Sequence, residues 1–398
     1  MAISKKVRTI LNESSWIRKM FEEGVRLKSK HGMEHVYDFS LGNPNLSPPE
    51  IFKKALAKTI NNSDSNSHLY MPNTGYPHVR KSVAAFLSSE QEVGIDQDAI
   101  IMTCGAAGAL NVIFKALLDP GDQVIVPFPY FVEYSFYVDN HGGRLKPVKT
   151  MNDFSLDIDA IVNACTKRTK AVLINSPNNP TGQVYSKKNI SDLGIALTEA
   201  GKKFGRTIYL ISDEPYRKIV YDNIEVPSVF QYYKQSIIAT SYSKDISIPG
   251  ERIGFIAVHP EADYKDELIA GMTFANRILG FVNAPALMQR IVADIQGATV
   301  DVAAYARKRE LLCQGLLECG YEFIRPAGAF YLFPKTPFSD DVKFVTLLKE
   351  EMVLTVPGSG FGCPGHFRIA FCVADNTIVN SLSGFANAMQ KACSQAIT

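Results

Sequence analysis

The sequence predicts an α/β protein: a mostly parallel central sheet covered by helices, joined to a smaller α+β unit. Three observations carry that expectation. Short β-rich runs alternate with helical patterns from about residue 95 to 260, the rhythm of strand–helix–strand crossovers. After roughly residue 262 the texture changes to long helical patterns with a few short strands. With 398 residues, 46% of them hydrophobic and 21% charged, the chain can bury one large core and one smaller one.

The elements follow in chain order. The stretch around 12–31 has a helical pattern and is expected to pack with the second unit. Seven runs read as strands: AIIMT (99–103), DQVIVPF (122–128), RLKPVK (144–149), KAVLIN (170–175), TIYLISD (207–213), SIIATSY (236–242) and GFIAV (254–258). Helical stretches such as AAGALNVIFKALL (106–118) and NISDLGIALTEAGKKFG (189–205) lie between them, placing helices on both faces of the sheet. Later helical patterns fill 263–279, 282–296 and 299–318. Short strands YEFIR (321–325), AFYLF (329–333) and FRIAF (367–371) follow, then a final helix. The expected division is 1–44 as an N-terminal arm with part of the small domain, 45–280 as the large domain, and 281–398 as the small C-terminal domain. A cleft between the two is the natural site, with its residues at the carboxyl ends of the parallel strands.

Composition excludes several classes. Lys plus Arg number 42 against 40 acids, so the net charge of +2 offers nothing to a nucleic acid or a membrane surface. The opening MAISKKVRTILNESSW has no apolar signal core, and no 18-residue apolar run occurs, so a soluble, cytoplasmic protein is expected. Seven cysteines form no C-x-x-C pair, and reduced thiols are expected. No metal-ligand spacing stands out.

The strand ends carry the chemistry. After AIIMT comes Cys104-Gly105-Ala106-Ala107-Gly108, a small-residue loop opening an apolar helix. Its free N–H groups and the helix dipole suit a phosphate, although a tight strand–helix turn explains such residues equally well. After KAVLIN comes Ser176-Pro177-Asn178-Asn179-Pro180-Thr181-Gly182, which reads alone as a rigid turn but places amides at a strand end. After TIYLIS stands Asp213, then Glu214-Pro215-Tyr216-Arg217. Asp213 can cap the next helix or serve as a site carboxylate. SIIATSY leads to Ser243 and Lys244. Gly358-Ser359-Gly360-Phe361-Gly362 lacks a strand–turn–helix setting and reads as a flexible loop.

An anion cradle, an acid, an amide, a phenol and an amine at successive strand ends suit pyridoxal phosphate. Its phosphate takes a helix N-terminus, its ring nitrogen a carboxylate, and its aldehyde a lysine.

The chain resembles the fold-type I, pyridoxal-phosphate-dependent aminotransferases of class I/II, the aspartate aminotransferase-like family. SPNNPTG, SDEPYR and S-x-S-K…G-x-R-I-G-F in this order carry the resemblance, which runs from LGNPNL (41–46) to FRIAF. It implies pyridoxal phosphate held as a Schiff base by Lys244, which also moves the substrate proton. It implies Asp213 on the ring nitrogen, with Asn179 and Tyr216 on the ring oxygen. Phe131 of PYFVEY would stack on the ring, with Tyr130 as the second choice. Gly105, Ala106, Ala107, Ser241, Ser243 and Arg252 would surround the phosphate, and Tyr70 would reach the partner subunit's phosphate in a homodimer. Arg368 would clamp the substrate carboxylate, flanked by Gly42 and Asn179. Arg252 and Arg368 stand in apolar segments, RIGFIAV and FRIAF, where a guanidinium needs an anion.

The implied activity is amino transfer from an L-amino acid to a 2-oxo acid such as 2-oxoglutarate or pyruvate. A pyridoxal-dependent C–S β-lyase uses the same lysine, acid and arginine. A non-enzymatic regulator on this fold would carry a DNA-binding module, for which the stretch before residue 41 has no basic cluster. Ala107 stands where many relatives carry a hydroxyl residue or a lysine, and this departure argues against a preference for dicarboxylates.

Overall fold

The computed structural model describes residues 2–12 and 16–396. Its centre is a seven-stranded sheet of β1 (Ile100–Thr103), β2 (Gln123–Phe128), β3 (Arg144–Lys149), β4 (Thr169–Asn175), β5 (Tyr209–Asp213), β6 (Ser236–Ser241) and β7 (Gly254–Val258). The spatial order is β1-β7-β6-β5-β4-β2-β3. All neighbours are parallel except β7, which runs antiparallel to both β6 and β1.

Alternation along each strand explains the layers. In β4, Val172 and Ile174 enter one core while Ala171 and Leu173 enter the other, and all four are buried. Leu210 and Ile238 join the first core; Ile211 and Ile237 join the second. Period-two geometry therefore forces apolar residues onto both faces. Burying each large side chain contributes about 1.5–3 kcal/mol. Helices Pro77–Gln91 and Lys187–Phe204 cover one face, and Gly105–Leu117 and Lys265–Ile278 cover the other. Ala284, Met288, Ile291, Val292 and Ile295 also pack in the first core, although they lie beyond residue 280.

A separate core holds Met20 and Leu27 of helix Trp16–His31, Leu312 and Leu316 of Val302–Glu318, and Phe385 of Asp375–Ala396. These pack on a three-stranded antiparallel sheet of β8 (Tyr331–Leu332), β9 (Val356–Pro357) and β10 (Phe367–Ala370). The helical pattern around 12–31 does pack there; its residues 13–15 lie outside the described ones. A strap at residues 37–42 also joins this unit. Phe39 N donates to Leu354 O at 2.8 Å, and Ala370 N donates to Phe39 O at 2.9 Å.

Two expectations are corrected. YEFIR is not a strand. Tyr321 points inward and Glu322 outward as in a strand, but no ladder continues beyond the Lys335 N to Glu322 O bond of 2.9 Å. Gly358–Phe361 is a 3₁₀ turn rather than a flexible loop, because Phe361 is wholly buried and Gly358 N donates to His366 O at 2.7 Å. All seven cysteines are free; Cys165, Cys313 and Cys372 are buried and Cys393 is exposed.

Candidate active site

The carboxyl ends of β1, β4, β5 and β6 open on one edge of the sheet, and the antiparallel β7 begins there. The register sets Asn175 beside Asp213, and Ser241 beside Gly254. One cavity at this edge is lined by Gly42, Ala106, Ala107, Phe131, Asn179, Asp213, Tyr216, Ser241, Ser243, Lys244, Arg252 and Arg368. The structure thus gathers residues that lie far apart in sequence, as expected. Tyr130 does not line the cavity; Phe131 does.

Asp213 ends β5 and is 5% exposed. Tyr134 donates its hydroxyl to Oδ2, whereas Oδ1 is buried with no partner. Burial pushes the carboxyl up to about 7, against the opposing Tyr134 hydrogen bond, with Glu214 adding to the rise. An orphaned buried oxygen of this kind calls for a hydrogen-bond donor, and a cationic one would also offset the burial of the charged carboxylate.

Lys244 follows β6, and its Nζ donates to Gly42 O at 2.8 Å. Burial, with Arg252 and Arg368 adding to it, draws the amine down to about 8. A usable neutral fraction therefore exists near neutral pH, as a nucleophilic lysine requires.

Arg368 on β10 is 2% exposed and has no acid partner among the described residues. Its Nη1 donates to Asn179 Oδ1 at 3.1 Å and its Nη2 to Ser40 O, while Nε is buried and unpaired. The Tyr331 and Phe361 rings each lie 4.9 Å from the guanidinium carbon. Burial pulls its pKa below the ordinary value. A desolvated fork with a free N–H is made for a carboxylate.

Gly105 opens helix Gly105–Leu117 at φ 73°, and a Cβ there would stand 2.9 Å from Arg252 Nη2. Glycine lets that guanidinium approach the helix N-terminus, where Ala106 and Ala107 line the cavity. Arg252 itself is exposed, so burial is not what calls for an anion here, contrary to the expectation from RIGFIAV. Its Nη1 donates to Pro249 O at 3.0 Å. Asn179 N donates to Asn175 Oδ1 at 2.8 Å, and Thr181 N and Oγ1 both donate to Asn178 Oδ1. These bonds turn SPNNPTG into a rigid support.

Tyr70 is the exception. It is 90% exposed and does not line the cavity of its own chain. Sequence reasoning also missed three neighbours. Tyr134 stands three residues after Phe131, so i, i+3 spacing could have marked it. Tyr331 and Phe361 enclose Arg368 from other elements, and no local spacing announces them.

The residues fit pyridoxal phosphate. The orphaned Asp213 Oδ1 suits a protonated ring nitrogen, the helix N-terminus with Arg252 suits a phosphate, and the Lys244 amine suits an aldehyde.

A family model described as aminotransferase class I and II matches residues 34–383. The chain is 32% identical over 350 residues to a probable aspartate aminotransferase of Methanocaldococcus jannaschii, covering 85% of this chain and 88% of that protein. An amino transferase from Eubacterium rectale superimposes with a TM-score of 0.95 at 41% identity, covering 98% and 99% of the two chains. Aspartate aminotransferase from Thermus thermophilus, solved with maleate, gives a TM-score of 0.86 at 27% identity, covering 98% and 100%.

Proposed function

The chain belongs to the class I and II aminotransferases and is a pyridoxal-phosphate-dependent enzyme of amino transfer, and on that premise we propose its residue roles and substrate class. The observation that carries the reading is the meeting of three groups in one cavity: the Lys244 amine, the orphaned Asp213 oxygen and the acid-free Arg368 fork.

Pyridoxal phosphate, when bound, supplies an aldehyde carbon and a ring that withdraws electrons from the substrate α-carbon. Lys244 is the amine that holds that aldehyde, as the Schiff-base lysine of the site. Its Nζ, drawn toward the neutral form by burial, would also be the base that takes up and gives back the substrate's α-proton, the general acid–base role of the site. Asp213 holds the ring nitrogen protonated, and Tyr134 fixes the carboxylate in place. Asn179 accepts from Arg368 through Oδ1, which leaves its Nδ2 hydrogens for the ring oxygen alongside Tyr216. Phe131 covers the ring. Gly105, Ala106, Ala107, Ser241, Ser243 and Arg252 surround the phosphate. Arg368 clamps the α-carboxylate, with Gly42 and Asn179 beside it, and so orients the α-hydrogen.

The favoured donors have neutral side chains. The cations lining the cavity are Lys244, Arg252 and Arg368, and each already has a task. Ala107 adds no charge, so a distal carboxylate would enter without a partner. The same reasoning places pyruvate before 2-oxoglutarate as acceptor. The pairing of exposed Leu69 and Tyr70 supports a homodimer in which Tyr70 completes the partner's phosphate site. The large domain, expected to end at 280, is taken to run on through residue 295, because residues 284–295 pack in its first core; the residues that follow and the arm 1–44 form the smaller one.

Borohydride reduction of the freshly purified enzyme, followed by peptide mapping, tests the centre of this reading; label on Lys244 is expected. Label elsewhere, or none, would overturn it. A panel of amino acids scored by bleaching of the cofactor band tests the donor class. Aspartate outpacing every neutral donor would refute that part alone.

A further inference from the structure

The roles above leave Tyr331 without a task, yet its hydroxyl lies where several of these residues meet. Tyr331 is 2% exposed and lines the cavity. Its Oη is 2.8 Å from Tyr216 Oη. A Cβ on Gly42 would stand 2.0 Å from the same oxygen, so a larger residue at 42 would displace it.

We propose that Tyr331 is a positioning residue, donating its one hydroxyl hydrogen to Tyr216 and so committing Tyr216 as a donor toward the cofactor's ring oxygen. The inference rests on the reading of Tyr216 given above. The proton count supports it, since each phenol has a single hydrogen. When Tyr216 directs its own to the ring oxygen, the 2.8 Å contact is a hydrogen bond only with Tyr331 as donor. The opposite orientation leaves Tyr216 nothing to offer the ring.

The surroundings favour this orientation. The ionisable groups around the pair are Arg368, Asp213, Tyr134 and Cys372, with Lys244 lining the same cavity. Arg368 and protonated Lys244 have no acceptor site, and the Cys372 sulfur is a weak one. Asp213 is already engaged by Tyr134. The guanidinium 4.9 Å from the centre of the Tyr331 ring makes that phenol a better donor. A chain of donors also strengthens its last member. Tyr331 thus joins the clamp for the substrate carboxylate to the grip on the ring oxygen.

The test is the pH midpoint of the cofactor absorption band in the holoenzyme, compared among wild type, Tyr331→Phe, Gly42→Ala and Tyr216→Phe. A weaker donor leaves the ring oxygen more basic, so the proton it shares with the Lys244 nitrogen is kept to higher pH. Tyr331→Phe and Gly42→Ala are each expected to raise the midpoint by about 0.5–1 unit, on the scale of one lost hydrogen bond. Tyr216→Phe should raise it further. An unchanged midpoint in Tyr331→Phe, beside a shifted one in Tyr216→Phe, overturns the role of Tyr331 and leaves that of Tyr216. No shift in Tyr216→Phe overturns both. Should Tyr331→Phe fail to fold, Gly42→Ala decides the matter, because its methyl group displaces the Tyr331 oxygen.

Discussion

Tyr134 donates to Asp213 Oδ2 at 2.5 Å, while Asp213 Oδ1 is buried without a partner. One oxygen is therefore held by the fold and the other is left for a ligand. A donor to a carboxylate favours its charged form. Tyr134→Phe should raise the Asp213 pKa, and the acid limb of the kcat/KM profile should move to higher pH by about 1–2 units. A profile superimposable on the wild type would remove Tyr134 from this role.

Asp213→Asn separates stability from catalysis. In the apoprotein the folded pKa, about 7, lies above the ordinary value of 3.8. The contribution of Asp213 to stability is thus fully present below pH 3.8 and is lost as pH rises through 7. Relative to wild type, the Asn apoprotein should gain stability from pH 4 to 7, reaching on the order of 4 kcal/mol, and stay level above. Urea melts at several pH values measure this. Turnover of the same variant with cofactor should fall by about 10²–10³-fold, the scale for losing a preorganised charge.

Arg368→Lys keeps the charge and loses the planar fork. We expect kcat/KM to drop about 10²-fold, mostly through KM, since disrupting a buried hydrogen-bonded charge pair costs about 2–5 kcal/mol. Steady-state kinetics with a neutral donor provide the check, and an unchanged KM would count against the clamp.

Ala107→Lys adds a cation to the cavity wall. The ratio of kcat/KM for aspartate over alanine should rise about tenfold, corresponding to 1.4 kcal/mol. An unaltered ratio would show that position 107 does not face the substrate side chain.

Tyr70→Phe should weaken cofactor affinity about tenfold without altering the mass of the particle in solution, the effect of one hydrogen bond lost to an anion. Equilibrium dialysis against pyridoxal phosphate, paired with sedimentation, reads both. A monomer in the wild type would rule out the shared site.

The seven strand runs are all strands of the central sheet because their signal is local: apolar alternation and position within a repeating crossover. Lys244, Asp213 and Asn179 could be marked as site candidates for a related reason: Asp213 ends such a run, and Lys244 and Asn179 stand two and four residues beyond one. YEFIR shows the limit. Its pattern suits a strand, but strand formation needs a continued ladder, and the single bond from Lys335 N to Glu322 O does not extend into one. Phe361 shows another, because a glycine-rich segment is ordered by an arginine and an aromatic cluster that the local sequence does not reveal. Arg252 shows that an apolar setting in sequence does not guarantee burial, since its side chain leaves the sheet edge toward the helix N-terminus.

The strap at 37–42 hydrogen-bonds to Leu354 and Ala370, and Ser40 accepts from Arg368. During synthesis this wall of the cavity therefore leaves the ribosome well ahead of the strands that seat it, Val356–Pro357 and Phe367–Ala370, and stays unseated until they emerge. Assembly of the site is necessarily a late event, delayed by contacts more than 300 residues apart in the chain. A nascent chain stalled before residue 350 should show rapid amide exchange at Phe39, and protection there at that stage would contradict this order.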